Sequence, residues 1–122
     1  MAGKSAIRTV NTVKELKSIR EWKYFSEDVR IWMSKAYEAL EQGRFQSDGI
    51  SWISQLGFDR HPAGVMHDYL YRFAPMSRKA ADQLFRQALE EMGYPNFGKL
   101  WYLGLRAGGW YAWYKCRLAE AV

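Results

Sequence analysis

The strongest constraint on this chain lies between His61 and Gly93, HPAGVMHDYLYRFAPMSRKAADQLFRQALEEMG, where proline and glycine fence two amphipathic stretches. Pro62 suits the first position of a helix, because the N–H it lacks would have no intrahelical partner there. Pro75 ends that helix, Ser77 is placed to cap the next, and Gly93 closes it. On a helical wheel Ala63, Met66, Leu70 and Phe73 form one apolar stripe. Ala81, Leu84, Phe85, Ala88, Leu89 and Met92 form the other. The pattern predicts an antiparallel helix pair, 62–73 and 78–92, as the scaffold of a mainly α-helical domain.

The polar residues of the pair fall at the margins of these stripes. His67 and Tyr71 are four apart and so share a helix face. Counting outward from the break at Pro75 and Met76, Asp82 lies opposite Tyr69, about 3 Å in height from either His67 or Tyr71 at the helical rise of about 1.5 Å per residue. A carboxylate in that position can accept from both the imidazole and the phenol. It would fix the imidazole tautomer and leave the second ring nitrogen to take a proton from water. Asp68 points about 100° away from His67, where it could hold a hard cation such as Ca²⁺ with carbonyl oxygens from the Asp48-Gly49-Ile50-Ser51 loop. Each residue also has a plainer reading. His67 and Tyr71 can be core side chains, Asp68 an i,i+4 partner of Arg72, Asp82 a carboxylate favoured near its helix N-terminus, Asp48 a turn residue and His61 a loop histidine.

Before the pair, Thr12 can cap a short helix, VKELKSIREW, with Val13, Leu16, Ile19 and Trp22 on one face. Ser26 can cap a longer segment whose Val29, Trp32, Met33, Ala36, Tyr37 and Leu40 recur at helical spacing up to a stop at Gly43. A strand pair around Val29–Met33 competes with that helix. Residues 44–59 are mixed, with an Asp-Gly turn signal at 48–49. After the pair, Asn96 can cap a Trp/Tyr/Gly-rich helix that packs across the pair over 97–118. Gly104 and Gly108 would permit close approach of another backbone, and Gly108-Gly109 is a point where the segment can break in two. The expected organisation is a flexible basic arm, 1–11, and one helical domain, 12–122.

At 122 residues the chain is long enough for a single core. Its one cysteine, Cys116, excludes an internal disulfide framework, and no Cys/His spacing suggests zinc. The sequence shows neither a signal-peptide core nor an uncharged apolar run of membrane-spanning length. The net charge of +5 sits at the ends. Residues 1–23 carry six Lys/Arg against two Glu, residues 24–95 eight against ten acids, and residues 96–122 four against one. Basic ends suit an anionic lipid surface, an acidic protein partner or nucleic acid, and nucleic acid ranks last because nothing in the sequence supports base recognition. The Trp/Tyr-rich tail has three readings: ordinary core, a protein interface in an assembled particle, or insertion at a lipid interface aided by Lys115 and Arg117.

Two resemblances attach to these residues. HDYLY followed by ADQLF resembles the HDxxY…D signature of the phospholipase A2 superfamily, including its disulfide-free viral members. That resemblance implies His67 as general base, Asp68 as a calcium ligand, Asp82 as the residue orienting His67, and Tyr71 as the holder of Asp82. It also implies a calcium loop near Asp48, although that loop is Gly-rich in the superfamily and has only Gly49 here. Over a longer stretch, Phe45 to Trp113, the order SDGIS, PAGVMHDYLYR, SRKAADQLFRQAL and LWYLGLRAGGWYAW is similar to an uncharacterised domain family of tailed bacteriophages and prophages. Its loop usually begins with Thr where this chain has Ser47. The resemblance implies a virion protein, tail-associated, made in the bacterial host cytoplasm and assembled with other phage structural proteins. The expected function is a cation-dependent ester hydrolase acting on the host envelope. The alternative is a non-catalytic structural or adaptor protein of the tail, in which the His/Asp/Tyr trio braces the fold.

Overall fold

The structure, a computed structural model, describes residues 10–45 and 61–121, the last three as backbone only. Its described residues form helices and turns, with no strand among them. The helices are α1 (Val13–Ser18), α2 (Glu27–Glu41), α3 (Pro62–Phe73), α4 (Arg78–Glu91), α5 (Pro95–Gly108) and α6 (Trp110–Ala121), with a 3₁₀ turn at Trp22–Tyr24 after α1. The Val29–Met33 stretch lies inside α2, so the helix reading holds there over the strand pair. Asp48 and the Asp48–Ser51 loop, expected to supply cation ligands, lie outside the described residues, as do residues 1–9 of the arm.

Local chemistry accounts for most of the boundaries. Thr12 Oγ1 accepts from the Glu15 N–H at 3.0 Å, while the Glu15 carboxylate accepts from the Asn11 N–H at 3.0 Å, a reciprocal capping pair at the start of α1. Residues after Ser18 leave the α-helix and tighten into the 3₁₀ turn, so the predicted ten-residue helix is shorter than its apolar spacing suggested. Ser26 sits at the N-cap of α2, but its hydroxyl is used elsewhere: it accepts from Gln87 Nε2 at 2.7 Å, and the Ser26 N–H donates to Glu91 at 2.8 Å. That pair of bonds ties the start of α2 to the end of α4. Ser77 caps α4 through Ala80 N–H at 3.1 Å, as its position predicts. Pro75 bars a right-handed helical conformation at Ala74, which closes α3 in the left-handed region at φ 48° and donates its N–H to Leu70 O.

The C-terminal segment, expected as a helix over 97–118 that could break at Gly108-Gly109, forms two helices divided at Gly109. Tyr94, not Asn96, is the N-cap, because Pro95 occupies the first helical position and sets the start of α5. The chain then bends at Gly109 and continues as α6.

α3 is the central helix, with α2, α4 and α6 packed against it, while α5 lies along α4. The core runs from Leu16 and Val29, through Met33 and Tyr37 on α2 and Met66 and Leu70 on α3, to Phe85 and Leu89 on α4 and Trp101 and Leu105 on α5. Val10, inside the stretch expected to be an arm, is buried in this core. Gly98 lets α5 approach α4 closely, since a Cβ there would meet Leu89 Cβ at 3.1 Å and Arg86 O at 3.2 Å. Close approach was expected at Gly104 and Gly108. Both are exposed, and Gly98 and Gly109 take that role instead.

Candidate functional site: a buried His–Asp–Tyr cluster

α3 and α4 run back from the Pro75 break in the register that the residue count predicts. His67 Nε2 lies 2.9 Å from Asp82 Oδ1, and the Tyr71 hydroxyl donates to the same oxygen at 2.6 Å. The expected trio therefore exists as a hydrogen-bonded unit. With Nε2–H donating to the carboxylate, the neutral ring carries its lone pair on Nδ1. The Tyr71 and His67 rings are 4.3 Å apart, and Phe85 packs 4.8 Å from the imidazole on its other flank.

The second carboxylate oxygen is held by residues outside the trio. Arg106 Nη1 on α5 donates to Asp82 Oδ2 at 2.9 Å, and Arg78 Nη1, one turn before Asp82 on α4, lies 3.7 Å from the same oxygen. Arg78 also donates to the Leu105 carbonyl at 2.9 Å. Burial alone would raise the Asp82 pKa, but the hydrogen bonds from His67, Tyr71 and Arg106 outweigh it and hold the carboxyl below its ordinary value of 3.8. Burial, then the hydrogen bond to Asp82 and its negative charge, push the Tyr71 phenol well above its ordinary value of 10.0. Tyr71 is thus a lasting donor and Asp82 a lasting acceptor at neutral pH.

The bend at Gly109 closes the site. A Cβ on Gly109 would lie 2.6 Å from both Leu105 O and the Tyr71 hydroxyl, and 3.3 Å from Arg78 Nη1, so only glycine fits between the bend and the cluster. Beyond the bend, Trp113 packs edge-on over Tyr71 at 5.2 Å. Arg117 stacks on Trp113 at 4.7 Å and donates to the carbonyls of Tyr71 and Arg72 at 2.8 Å each, which covers the open carbonyl end of α3 with a cation. The trio, at the margins of the two stripes, is consequently buried: Asp82 is 0 % exposed, His67 2 % and Tyr71 5 %.

Asp68 is half-buried on α3, next in sequence to His67. Among the described residues no group of three or more His, Cys, Asp or Glu could hold a metal ion, so the described residues alone do not compose a calcium site. His61, expected in a loop, is the buried N-cap of α3. Its Nδ1 accepts from the Ala63 N–H at 3.2 Å, and burial lowers its pKa to about 4.

The trio is legible in the sequence and its arginine clamp is not. Arg78 was visible as an i,i+4 partner of Asp82. Arg106 carried no local signal, because it reaches Asp82 only through the packing of α5 on α4. Gly109 was legible as a break but not as a contact.

Fold and site together define a helical domain built around a buried, arginine-clamped His–Asp–Tyr cluster. Residues 50–104 match a family model described as a protein of unknown function, DUF1353. The matched stretch holds His67, Asp68, Tyr71, Arg78 and Asp82 and ends before Arg106. Comparison with curated proteins and with solved structures gives no match.

Proposed function

We propose that this chain is a bacteriophage particle protein, tail-associated, carrying a phospholipase A2-like His/Asp pair that hydrolyses an ester of the host envelope. The observation that carries the chemical part is the His67 Nε2 bond to Asp82 Oδ1 at 2.9 Å, with Tyr71 on the same oxygen. It commits one ring nitrogen to the carboxylate and leaves Nδ1 as the base. In the reaction Nδ1 takes a proton from water as the water oxygen bonds to the ester carbonyl. Asp82 holds the resulting imidazolium, and Nδ1 returns the proton to the alkoxide as the acyl–oxygen bond breaks. Calcium, implied by the resemblance, would need donors from Asp48–Ser51 in addition to Asp68, and the proton transfers at His67 do not depend on it. The particle assignment is supported by the order of SDGIS, HDYLYR and ADQLF along the chain.

One observation favours the second reading, a structural or adaptor protein of the tail. The imidazole is 2 % exposed and the carboxylate it faces also binds Arg106, which is the make-up of a brace joining α3, α4 and α5. An assay of fatty-acid release from mixed phospholipids, with and without a calcium chelator, separates the two. The hydrolase reading expects turnover in the parent and a loss of at least about a hundredfold in His67→Ala, the usual worth of a general base. No turnover in the parent, or equal turnover in both, leaves the brace.

A further inference from the structure

Along the chain from Pro95 to Leu118, two arginines turn inward while large apolar side chains face out. Arg106 and Arg117 turn inward, to Asp82 and to the end of α3, along with Trp101, Leu105 and Trp113. The exposed positions include Leu100, Leu103, Gly104 and Ala107 on α5, then Trp110, Tyr111, Tyr114 and Leu118 on α6. Their three- and four-residue spacing continues through Gly109, whose backbone stays right-handed helical at φ −69° and ψ −16°, so they form one stripe rather than two. Leu100 is 68 % exposed, and Leu103, Trp110, Tyr111 and Tyr114 are all more than half exposed. A stripe of this make-up is more than the scattered apolar residues of an ordinary surface.

We infer that this stripe is a docking face for an anionic lipid bilayer. Charge selects the occupant. The exposed Lys99 and Lys115 stand on opposite sides of the stripe, and no Asp or Glu occurs between Glu91 and Glu120. A second copy packed two-fold on the stripe would bring the same lysines together with no carboxylate in the segment to answer them. An anionic headgroup layer answers both, while their aliphatic stems follow the leucines down. Trp110, Tyr111 and Tyr114 have the apolar body and polar tip that partition to the headgroup boundary. No helix among the described residues is long and apolar enough to cross a membrane, so the face lies on the bilayer. This inference does not rest on catalysis by His67.

Flotation of the full chain with vesicles tests it, because binding is read without turnover. Vesicles of phosphatidylglycerol and phosphatidylcholine should carry the protein upward with a blue shift of tryptophan emission, and phosphatidylcholine alone should not. Lys99→Glu with Lys115→Glu should lower partitioning by at least about thirtyfold. Leu103→Ser with Tyr114→Ser should abolish the blue shift with helical circular dichroism unchanged. Equal flotation with both vesicle types overturns the inference. So does a lipid-free dimer that Leu103→Ser and Tyr114→Ser dissolve, or retention by single-stranded DNA in place of vesicles.

Discussion

Asp82 is the residue on which the molecule's polar interior converges. Its two oxygens receive His67, Tyr71 and Arg106 directly, from two other helices, while the side chain is 0 % exposed. Removing the charge while keeping the shape is therefore costly. Asp82→Asn turns one oxygen into a donor and leaves Arg106 or His67 facing it. Loss of about 3 kcal/mol is expected, read as a fall of roughly 10 °C in Tm. Arg106→Gln should cost less, about 1 kcal/mol, because that side chain is 31 % exposed and water screens it. If the two substitutions prove equally costly by denaturant titration, the buried carboxylate is not the centre of the network. The trio itself is legible in the sequence, since register in a helix hairpin is a matter of counting from the turn. The arginine on the other oxygen is not, because 24 residues and a helix packing interface separate it from Asp82.

Among the elements, α6 decides whether the cluster is open or closed. It reaches α3 because Gly109 presents no side chain to Leu105 O and Tyr71. Gly109→Ala should force α5 and α6 away from the cluster and destabilise the protein by about 2 kcal/mol, the ordinary cost of overpacking. A stronger sign than stability would be local: Trp113 emission should shift red as it leaves Tyr71. Gly108→Ala is the control, with no atom within 4 Å of its added Cβ, and should leave both readouts near the parent. The sequence marked Gly108-Gly109 as one weak point in a helix. Only packing distinguishes the glycine that touches the site from the one that faces solvent.

For the whole molecule, buried titratable groups bound the pH range of stability on both sides. His61 titrates at 6.5 in a free peptide and about 4 in the folded chain, so the unfolded chain takes up a proton first as pH falls. Stability is full above about pH 6.5 and should decline by about 3 kcal/mol as pH falls to about 4. Asp82 adds its loss further down, because its carboxyl lies below 3.8 when folded and protonation breaks the cluster. On the alkaline side the unfolded Tyr71 ionises near 10.0 while the folded phenol holds its proton, so stability falls again as pH rises past that value. Denaturant midpoints measured from pH 4 to pH 11 should trace a plateau with two shoulders. His61→Asn, which retains an N-cap acceptor, should flatten the shoulder between 6.5 and 4 while leaving the alkaline one.

The sequence by itself determined the helical class, the hairpin of α3 and α4, the Ser77 cap and the meeting of His67, Tyr71 and Asp82. Each of these depends on periodicity and on punctuation by proline, serine and glycine, which act within a few residues. Tertiary structure decided the rest: Arg106 on Asp82, the role of Gly109, the cation on the end of α3, and the full burial of a trio that the helical wheel places at the stripe margins. Those contacts arise where α5 lies on α4 and α6 on α3, and no local pattern encodes the angle at which one helix crosses another. The same packing turned two arginines inward and left leucine, tryptophan and tyrosine facing out.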